Sequence, residues 1–328
     1  SLTLSSTITL TLTPALPLAH ALAPALILTL NRTLSRHQTL ILTVTLNRTL
    51  SLVLLRARTP IPTPKRAGPA TAIVVDGRAY LVDFGPGVVR RAAAASAEYG
   101  GSLEALNVER LDIAFLTHLH HDHTAGLPDL VYTSWTHGRE VPLTLYGPEG
   151  TMAMAENVSK AWQEDNRYRL YGLEPATKEG WKIDAHNIQE GVVYTDDRVK
   201  VEAFNVKHGT WPHAFGYRFT TKDKVIVISG DAAYDPKIEA MAKGADILIH
   251  EVVSERALSV RTQFWQDYHR SNHTTSYELA GLATRAKPKR LILYHVLVFG
   301  LEDEVVLEEV RERYDGEVIL ANDLDVFD

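Results

Sequence analysis

The sequence predicts an α/β protein in which two sheets pack face to face and helices cover the outside. Three observations predict it. Hairpin signals are mixed with helical crossovers in both halves of the chain, and short apolar runs bounded by turn residues supply buried strands. Polar residues able to do chemistry sit where those runs stop, a place from which irregular backbone can aim side chains at a shared point.

The first fifty-odd residues stand apart. Leu and Thr dominate them, Thr-Leu-Asn-Arg-Thr-Leu-Ser occurs at both 29–35 and 45–51, and the alternation at 2–4 and 43–46 has strand period. A secretion signal around 14–30, with Ala19-His20-Ala21 at its cleavage position, lacks a preceding basic region. The same run is short for a membrane span and is interrupted by His20 and prolines, so no spanning helix is expected. Residues 1–51 are therefore read as a low-complexity segment without an assigned role, and 52–328 as the functional domain.

After the proline-rich stretch Pro60-Ile-Pro-Thr-Pro64, residues 71–75 and 78–84 form a hairpin about Asp76-Gly77, a pair suited to a two-residue turn. Residues 88–99 read as a helix stopped by Gly100-Gly101, 111–116 as a buried strand and 124–137 as a second helix. A strand at 141–146 and an amphipathic helix over 152–168 follow. Short strands at 199–204, 214–220 and 225–229 precede strand and helix in alternation from 247 to 293, and a last helix covers 302–314.

Composition narrows the function classes. A chain of 328 residues with 45% hydrophobic content can bury a sizeable core. Its net charge of −6 is uneven: the first 70 residues hold seven of the 34 basic residues and none of the 40 acidic ones, so the rest carries about −13. That balance gives no support to a generic nucleic-acid binder. The absence of cysteine removes disulfides, thiolate ligands and thiolate nucleophiles. Serine-hydrolase elbows, dinucleotide-binding glycine patterns and phosphate-binding Lys-Ser/Thr loops are also absent.

The chemistry concentrates at His118-Leu119-His120-His121-Asp122-His123, immediately after the apolar run Leu111-Asp-Ile-Ala-Phe-Leu116. In an extended strand tail His118 and His120 point to one side, while Asp122 and His123 begin a tighter segment able to address a second ion. Imidazole and carboxylate without thiolate suit zinc, with manganese or iron as alternatives. Three more candidates sit at strand ends: His208 after Val206, Asp231 after Ser229-Gly230, and His295 after Leu291-Ile-Leu-Tyr294. Two ions about 3.5 to 4 Å apart need around seven protein ligands including a bridge, the number supplied here.

The ordered set His-x-His-x-Asp-His at 118–123, His208, Ser229-Gly230-Asp231 and His295 resembles the signature of the metallo-β-lactamase superfamily, over roughly residues 52–328. The resemblance implies a four-layer αββα sandwich. It implies one metal ion held by His118, His120 and His208, a second by Asp122, His123 and His295, and Asp231 between them. It also implies that Asp83, in Tyr80-Leu-Val-Asp-Phe84, steadies a ligand histidine. Within the superfamily the ribonuclease Z-like branch fits best, because His250-Glu251 is followed by Asn272-His273-Thr274-Thr275-Ser276 and a helix over 277–285. In that branch the matching histidine is a general acid rather than a ligand. His273 takes this part here, oriented by Glu251, with Thr274 placed to meet a phosphate oxygen near the helix start.

The resemblance thus implies a binuclear zinc hydrolase in which a metal-bridging hydroxide attacks a phosphodiester, Asp122 accepts or orients the water proton and His273 protonates the leaving oxygen. The alternatives are a β-lactam or lactone hydrolase, against which Asp231 counts because dedicated lactamases place Cys or Ser there, and a catalytically idle metal-stabilised binding protein. Two departures stand out. Leu55-Arg56-Ala57-Arg58-Thr59-Pro60 replaces the Gly-rich loop after the first strand, which puts that strand in question. The interval from His123 to His208 lacks the Gly/Pro/Lys-rich arm with which transfer-RNA-processing members hold their substrate, and instead carries Trp162, Tyr168, Tyr171 and Trp181. The expected substrate is accordingly a small-molecule or nucleotide-type ester, with long RNA an alternative that neither the charge nor such an arm supports. Tyr268 and His269, or Trp211 and His213, are candidates for its entrance. A cytoplasmic location and either a monomer or a homodimer fit this reading.

Overall fold

The computed structural model describes residues 27–30, 42–45, 49–56 and 68–328. The chain divides into two compact units, Ser1–Arg48 and Thr49–Asp328. In the first, strand β1 (Ile27–Leu30) pairs antiparallel with β2 (Leu42–Thr45), Ile27 opposite Thr45. The signal-like run before residue 27 lies outside the described residues, as do Pro60 to Pro64 and Arg58.

The second unit contains two seven-stranded sheets. The first is made of β3 (Leu50–Arg56), β4 (Ala70–Val75), β5 (Arg78–Val82), β6 (Ile113–Phe115), β7 (Leu143–Gly147), β8 (Ile183–Asn187) and the C-terminal β16 (Val326–Phe327). Its order is β16-β3-β4-β5-β6-β7-β8, antiparallel as far as β5 and parallel from there to β8. The second contains β9 (Gly191–Thr195), β10 (Lys200–His208), β11 (Trp211–Thr220), β12 (Val225–Ile228), β13 (Ile247–Val253), β14 (Arg290–Leu297) and β15 (Val318–Leu320). Consecutive numbers are neighbours throughout, antiparallel from β9 to β12 and parallel from β12 to β15. Hairpins joined to helical crossovers in each half are what the sequence predicts.

Strand alternation divides the apolar residues between layers. Leu52, Ile73, Val82 and Phe115 of the first sheet meet Phe215, Tyr217, Ile228 and Ile249 of the second in a shared core. The opposite face of the first sheet, including Val53, Leu81 and Ala114, packs on α1 (Val88–Ala95) and on α3 (Leu127–Thr136), which follows the short α2 (His121–Thr124). The outer face of the second sheet packs Val227, Leu248 and Leu291 against α6 (Pro236–Ala242), α9 (Ser276–Ala286) and α10 (Glu304–Arg311). The order of layers is helix, sheet, sheet, helix. Each fully buried aliphatic or aromatic side chain contributes about 1.5 to 3 kcal/mol. Exposed pairs such as Lys160–Glu156 are screened by water and contribute little, so the layers are held by apolar burial.

Several sequence expectations are refined. The doubt over the first strand is removed: β3 pairs with β4 over Leu50 to Arg56, and its Leu52 to Leu55 are buried. The ladder begins at Leu50 opposite Val75, so the boundary placed at 51/52 falls inside β3, whereas the compact units divide at Arg48/Thr49. The helix expected over 152–168 is two, α4 (Thr151–Ala161) and α5 (Gln163–Tyr171), divided at Trp162, whose ring stacks 5.5 Å from that of Tyr132. The helix expected over 124–137 is preceded by the separate turn α2 and begins at Leu127, with proline in its first turn. Strands β8, β9, β15 and β16 were not expected. They occupy outer positions in their sheets, and their patterns of burial are mixed.

Candidate metal centre

The candidate ligands come from strand ends in both sheets. His118 lies just beyond β6, and His120 stands at the start of α2, whose first turn presents Asp122 and His123. His208 ends β10, where a register shift between Val206 and His208 turns the ring inward. Asp231 follows β12 through Gly230, held at φ +64° where an added Cβ would meet the Phe215 carbonyl at 2.7 Å. His295 lies within β14 at φ +45°, beside a register shift at Glu251/Val252 of β13. A non-glycine residue in that region is strained by order 1 to 3 kcal/mol, and such strain is commonly found where a side chain must be aimed.

The donor atoms form two groups. His120 Nδ1 lies 2.9 Å from His118 Nε2 and 3.2 Å from His208 Nε2. Asp122 Oδ2 lies 3.7 Å from His123 Nε2 and 3.5 Å from His295 Nε2. Asp231 Oδ2 lies 3.4 Å from His123 Nε2 and 3.2 Å from His295 Nε2, and Asp231 also groups with His118 and His123 within 4.8 Å. Donors 2.0 to 2.1 Å from a tetrahedral ion are roughly 3.3 Å from one another, so both groups have the spacing of a ligand set. His123 Nε2, His295 Nε2 and Asp231 Oδ1 are buried without a hydrogen-bond partner among the described residues, an arrangement unfavourable unless a cation takes up those lone pairs.

The backbone and neighbouring side chains fix which nitrogens are free. Asp83, itself at φ +61°, accepts from the Thr117 N–H at 2.8 Å, from the Thr117 hydroxyl and from His123 Nδ1 at 2.8 Å. The Thr117 oxygen is also 3.0 Å from His118 Nδ1. His208 Nδ1 donates to the Asn272 carbonyl at 2.8 Å. In His118, His123 and His208 the proton therefore sits on Nδ1 and Nε2 faces the cluster. His120 is different: its Nε2 accepts from the Trp211 indole N–H at 3.0 Å.

Charge in the cluster follows burial and neighbours. Burial, then neighbouring histidines, lowers His118 well below its usual value, and burial takes His120 and His208 down to about 4, so all three are neutral at pH 7. Burial would also lower His123 and His295, but Asp231, with Asp83 for the former and Asp122 for the latter, raises both. Burial would raise Asp231, yet His295, His123 and His118 hold it well below the carboxylate range. The second group thus favours positive charge.

His273 borders the centre. It closes α8 (Gln263–Asn272), and its ring is 5.6 Å from that of His208 and 6.0 Å from that of His295. One of its nitrogens groups with Asp231 and His295 within 4.8 Å. Its Nδ1 is 3.3 Å from Glu251 Oε2, while Glu251 Oε1 accepts from the Thr274 N–H at 2.9 Å and the Ala232 N–H at 3.2 Å. Burial, then Asp231, pushes the Glu251 carboxyl well above its usual range, and burial lowers His273 to about 4. Thr274 is not brought to the open side of the site: it is fully buried, and its hydroxyl donates to the Ala232 carbonyl at 2.7 Å, so the phosphate contact expected of it has no free donor. Thr275 and Glu278 form a reciprocal cap on α9 that fixes the loop carrying His273. Thr117 and the Asn272 carbonyl hold ligand rings and carry no metal-ligand signature in the sequence, so sequence reasoning missed them. Among the described residues no helix is long and apolar enough to cross a membrane.

The comparisons with known proteins agree with this geometry. Residues 78–296 match the family described as a beta-lactamase superfamily domain. A curated ribonuclease Z of Mycobacterium marinum is 31% identical over 288 residues, covering 84% of this chain and 97% of that protein. Among solved structures, the metallo-beta-lactamase fold protein YhfI from Bacillus subtilis superposes with a TM-score of 0.65 at 19% identity, over 85% of this chain and all of that one. Human tRNase Z, short form, superposes with a TM-score of 0.62 at 21% identity, over 85% and 98%. By these matches the chain is a hydrolase and belongs to the metallo-β-lactamase superfamily, in its ribonuclease Z-like branch.

Proposed function

We propose that this hydrolase is a phosphodiesterase acting on a nucleotide-type ester with two zinc ions, manganese or iron being the alternatives. His118, His120 and His208 would hold one ion, and Asp122, His123 and His295 the other, with Asp231 shared. The observation that carries this reading is the meeting of two donor groups at one buried carboxylate, with His273 at its edge. When bound, the ions supply a nucleophile from water near neutral pH and Lewis-acid polarisation of the electrophilic centre.

The chain's own residues do the rest. Asp122 aims Oδ2 at the second donor group and can accept or orient the proton of the attacking water. His273, with Nδ1 3.3 Å from Glu251 Oε2, would protonate the leaving oxygen from the edge of the donor groups. The two backbone N–H groups on Glu251 Oε1 hold that carboxyl group beside the imidazole. Against long RNA stand the acidic body of the chain and the interval from His123 to His208, which is occupied by α3 to α5 and β8 to β9.

The test is one purified sample with metal analysis, assayed on bis-p-nitrophenyl phosphate, nitrocefin and a homoserine lactone. Metal-dependent turnover of the phosphodiester above the other two is expected. Preference for nitrocefin or the lactone would replace this reading with acyl hydrolysis, and inertness toward all three by a metal-loaded sample would favour a binding role.

A further inference from the structure

Helix α8 carries a row of rings from solvent into the metal centre. Trp265 and His269 are four residues apart on one face of the helix, and His273, four residues further on, follows its last turn in extended backbone. The Trp265 and His269 rings are 5.9 Å apart and inclined by 29°, and those of His269 and His273 are 5.8 Å apart at 33°. His273 continues to His295 at 6.0 Å and 20°. Phe264 and Tyr268 stand edge-on to Trp265, at 5.3 and 5.6 Å. All three outer aromatics are exposed: Phe264 by 69%, Trp265 by 42% and Tyr268 by 44%.

Two further features point to a ligand. His269 is buried, and its Nδ1 has no hydrogen-bond partner among the described residues. The exposed Arg261 guanidinium lies 5.0 Å over Phe299, whose ring is 4.6 Å from that of His269, and no carboxylate among the described residues pairs with it. The outer face of α8 also carries Gln263, Gln266, Asp267 and Arg270, which suits a wet substrate platform better than a subunit interface.

We propose that Phe264, Trp265 and Tyr268 form a stacking platform for a planar heteroaromatic ring on the leaving-group side of the substrate. The side is fixed by His273, the inner end of the row, and this assignment rests on its role as the acid in the phosphodiesterase reading. The recognised group is then a nucleobase attached through its sugar to the departing oxygen, with Arg261 near enough to the platform to meet a further anionic group. Stacking on exposed aromatics is tolerant of base identity, so the platform selects for a base without selecting which one.

The probes are adenosine 5′-monophosphate and ribose 5-phosphate, which differ by the base alone, with affinities measured by calorimetry on the metal-loaded full chain. The wild-type protein is expected to bind the former about tenfold or more tightly than the latter. Trp265→Ala should bring that ratio close to one, Trp265→Phe should retain most of it, and Phe264→Ala should reduce it. Equal affinities in the wild type, or a ratio that survives Trp265→Ala, would overturn the proposal. So would a change in oligomeric state by light scattering in Trp265→Ala without a change in the ratio, which would make the face a subunit contact. Turnover of bis-p-nitrophenyl phosphate on the same sample separates the two readings: an intact ratio without turnover upholds the platform and counts against the phosphodiesterase.

Discussion

On the two-ion proposal, replacing Asp83 by asparagine should weaken the second metal site while sparing the first. The carboxylate accepts from two fixed donors, the Thr117 N–H and His123 Nδ1, each at 2.8 Å. An asparagine of the same shape has one acceptor oxygen, so one of these donors must face an amide NH2. The Thr117 N–H cannot move, whereas the imidazole can transfer its proton to Nε2. That is the atom 3.4 Å from Asp231 and 3.7 Å from Asp122, and once protonated it cannot bind a metal. Loss of such a carboxylate-histidine contact typically costs 10- to 100-fold in metal affinity, about 1.4 to 2.7 kcal/mol. His118 is reached only through the Thr117 hydroxyl, so its group should lose little. Metal content by elemental analysis after dialysis against graded chelator would show the first equivalent retained and the second released at 10- to 100-fold lower chelator. Unchanged affinity for the second ion, or parallel loss of both, would refute the tautomer argument.

Other substitutions probe the remaining contacts. Asp231→Ala should lose both ions and nearly all activity, and elemental analysis finding one tightly held ion would sink the shared-ligand arrangement. His273→Ala should keep both ions and reduce turnover roughly a hundredfold or more for an alkyl leaving group, far less for p-nitrophenolate, with Glu251→Gln milder; equal losses for both leaving groups would remove the acid role. Trp211→Phe removes the indole N–H that now makes His120 Nε2 an acceptor, so His120 can carry its proton there and offer Nδ1; affinity at the three-histidine group should rise about fivefold, and a decrease in titrations with zinc would contradict this. His123 and His295 have raised pKa values, so an ion held by them would displace protons; its affinity should climb as pH rises from 6.5 and flatten above the raised values, and calorimetry in buffers of different ionisation enthalpy should detect the released protons. A pH-independent affinity across that range would exclude the displacement.

The parts of this molecule that a reader of the sequence can find are those whose chemistry is local. The 118–123 cluster and the candidate ligands at the end of β10, after β12 and within β14 were legible because each lies at an apolar run, and Asp76-Gly77 marked its hairpin by turn chemistry alone. What stayed hidden depends on partners far away in the chain. Ile183–Asn187 has no clean alternation because its side chains are half-covered on both faces, and Val326–Phe327 is a strand only because Val53 and Leu52 lie opposite. Thr274 read as a phosphate donor next to His273, yet the Ala232 carbonyl, 42 residues away, occupies its hydroxyl. The break at Trp162 depends on Tyr132, and nothing in the apolar periodicity of 152–168 foretells it.

The pairing of β16 with β3 has a consequence for biosynthesis. The strand that covers the edge of the first sheet is made of residues synthesised after every other strand of both sheets, and Phe327 seats in the core between the sheets. Until they emerge, β3 presents a row of unpaired backbone groups beside a nearly finished sheet, a template for pairing with another nascent chain. Stalled or prematurely terminated copies would carry that open edge permanently. Protein that includes Val326 and Phe327 should thus tolerate crowded synthesis better than versions ending before them, even though those versions contain every candidate ligand from His118 to His295.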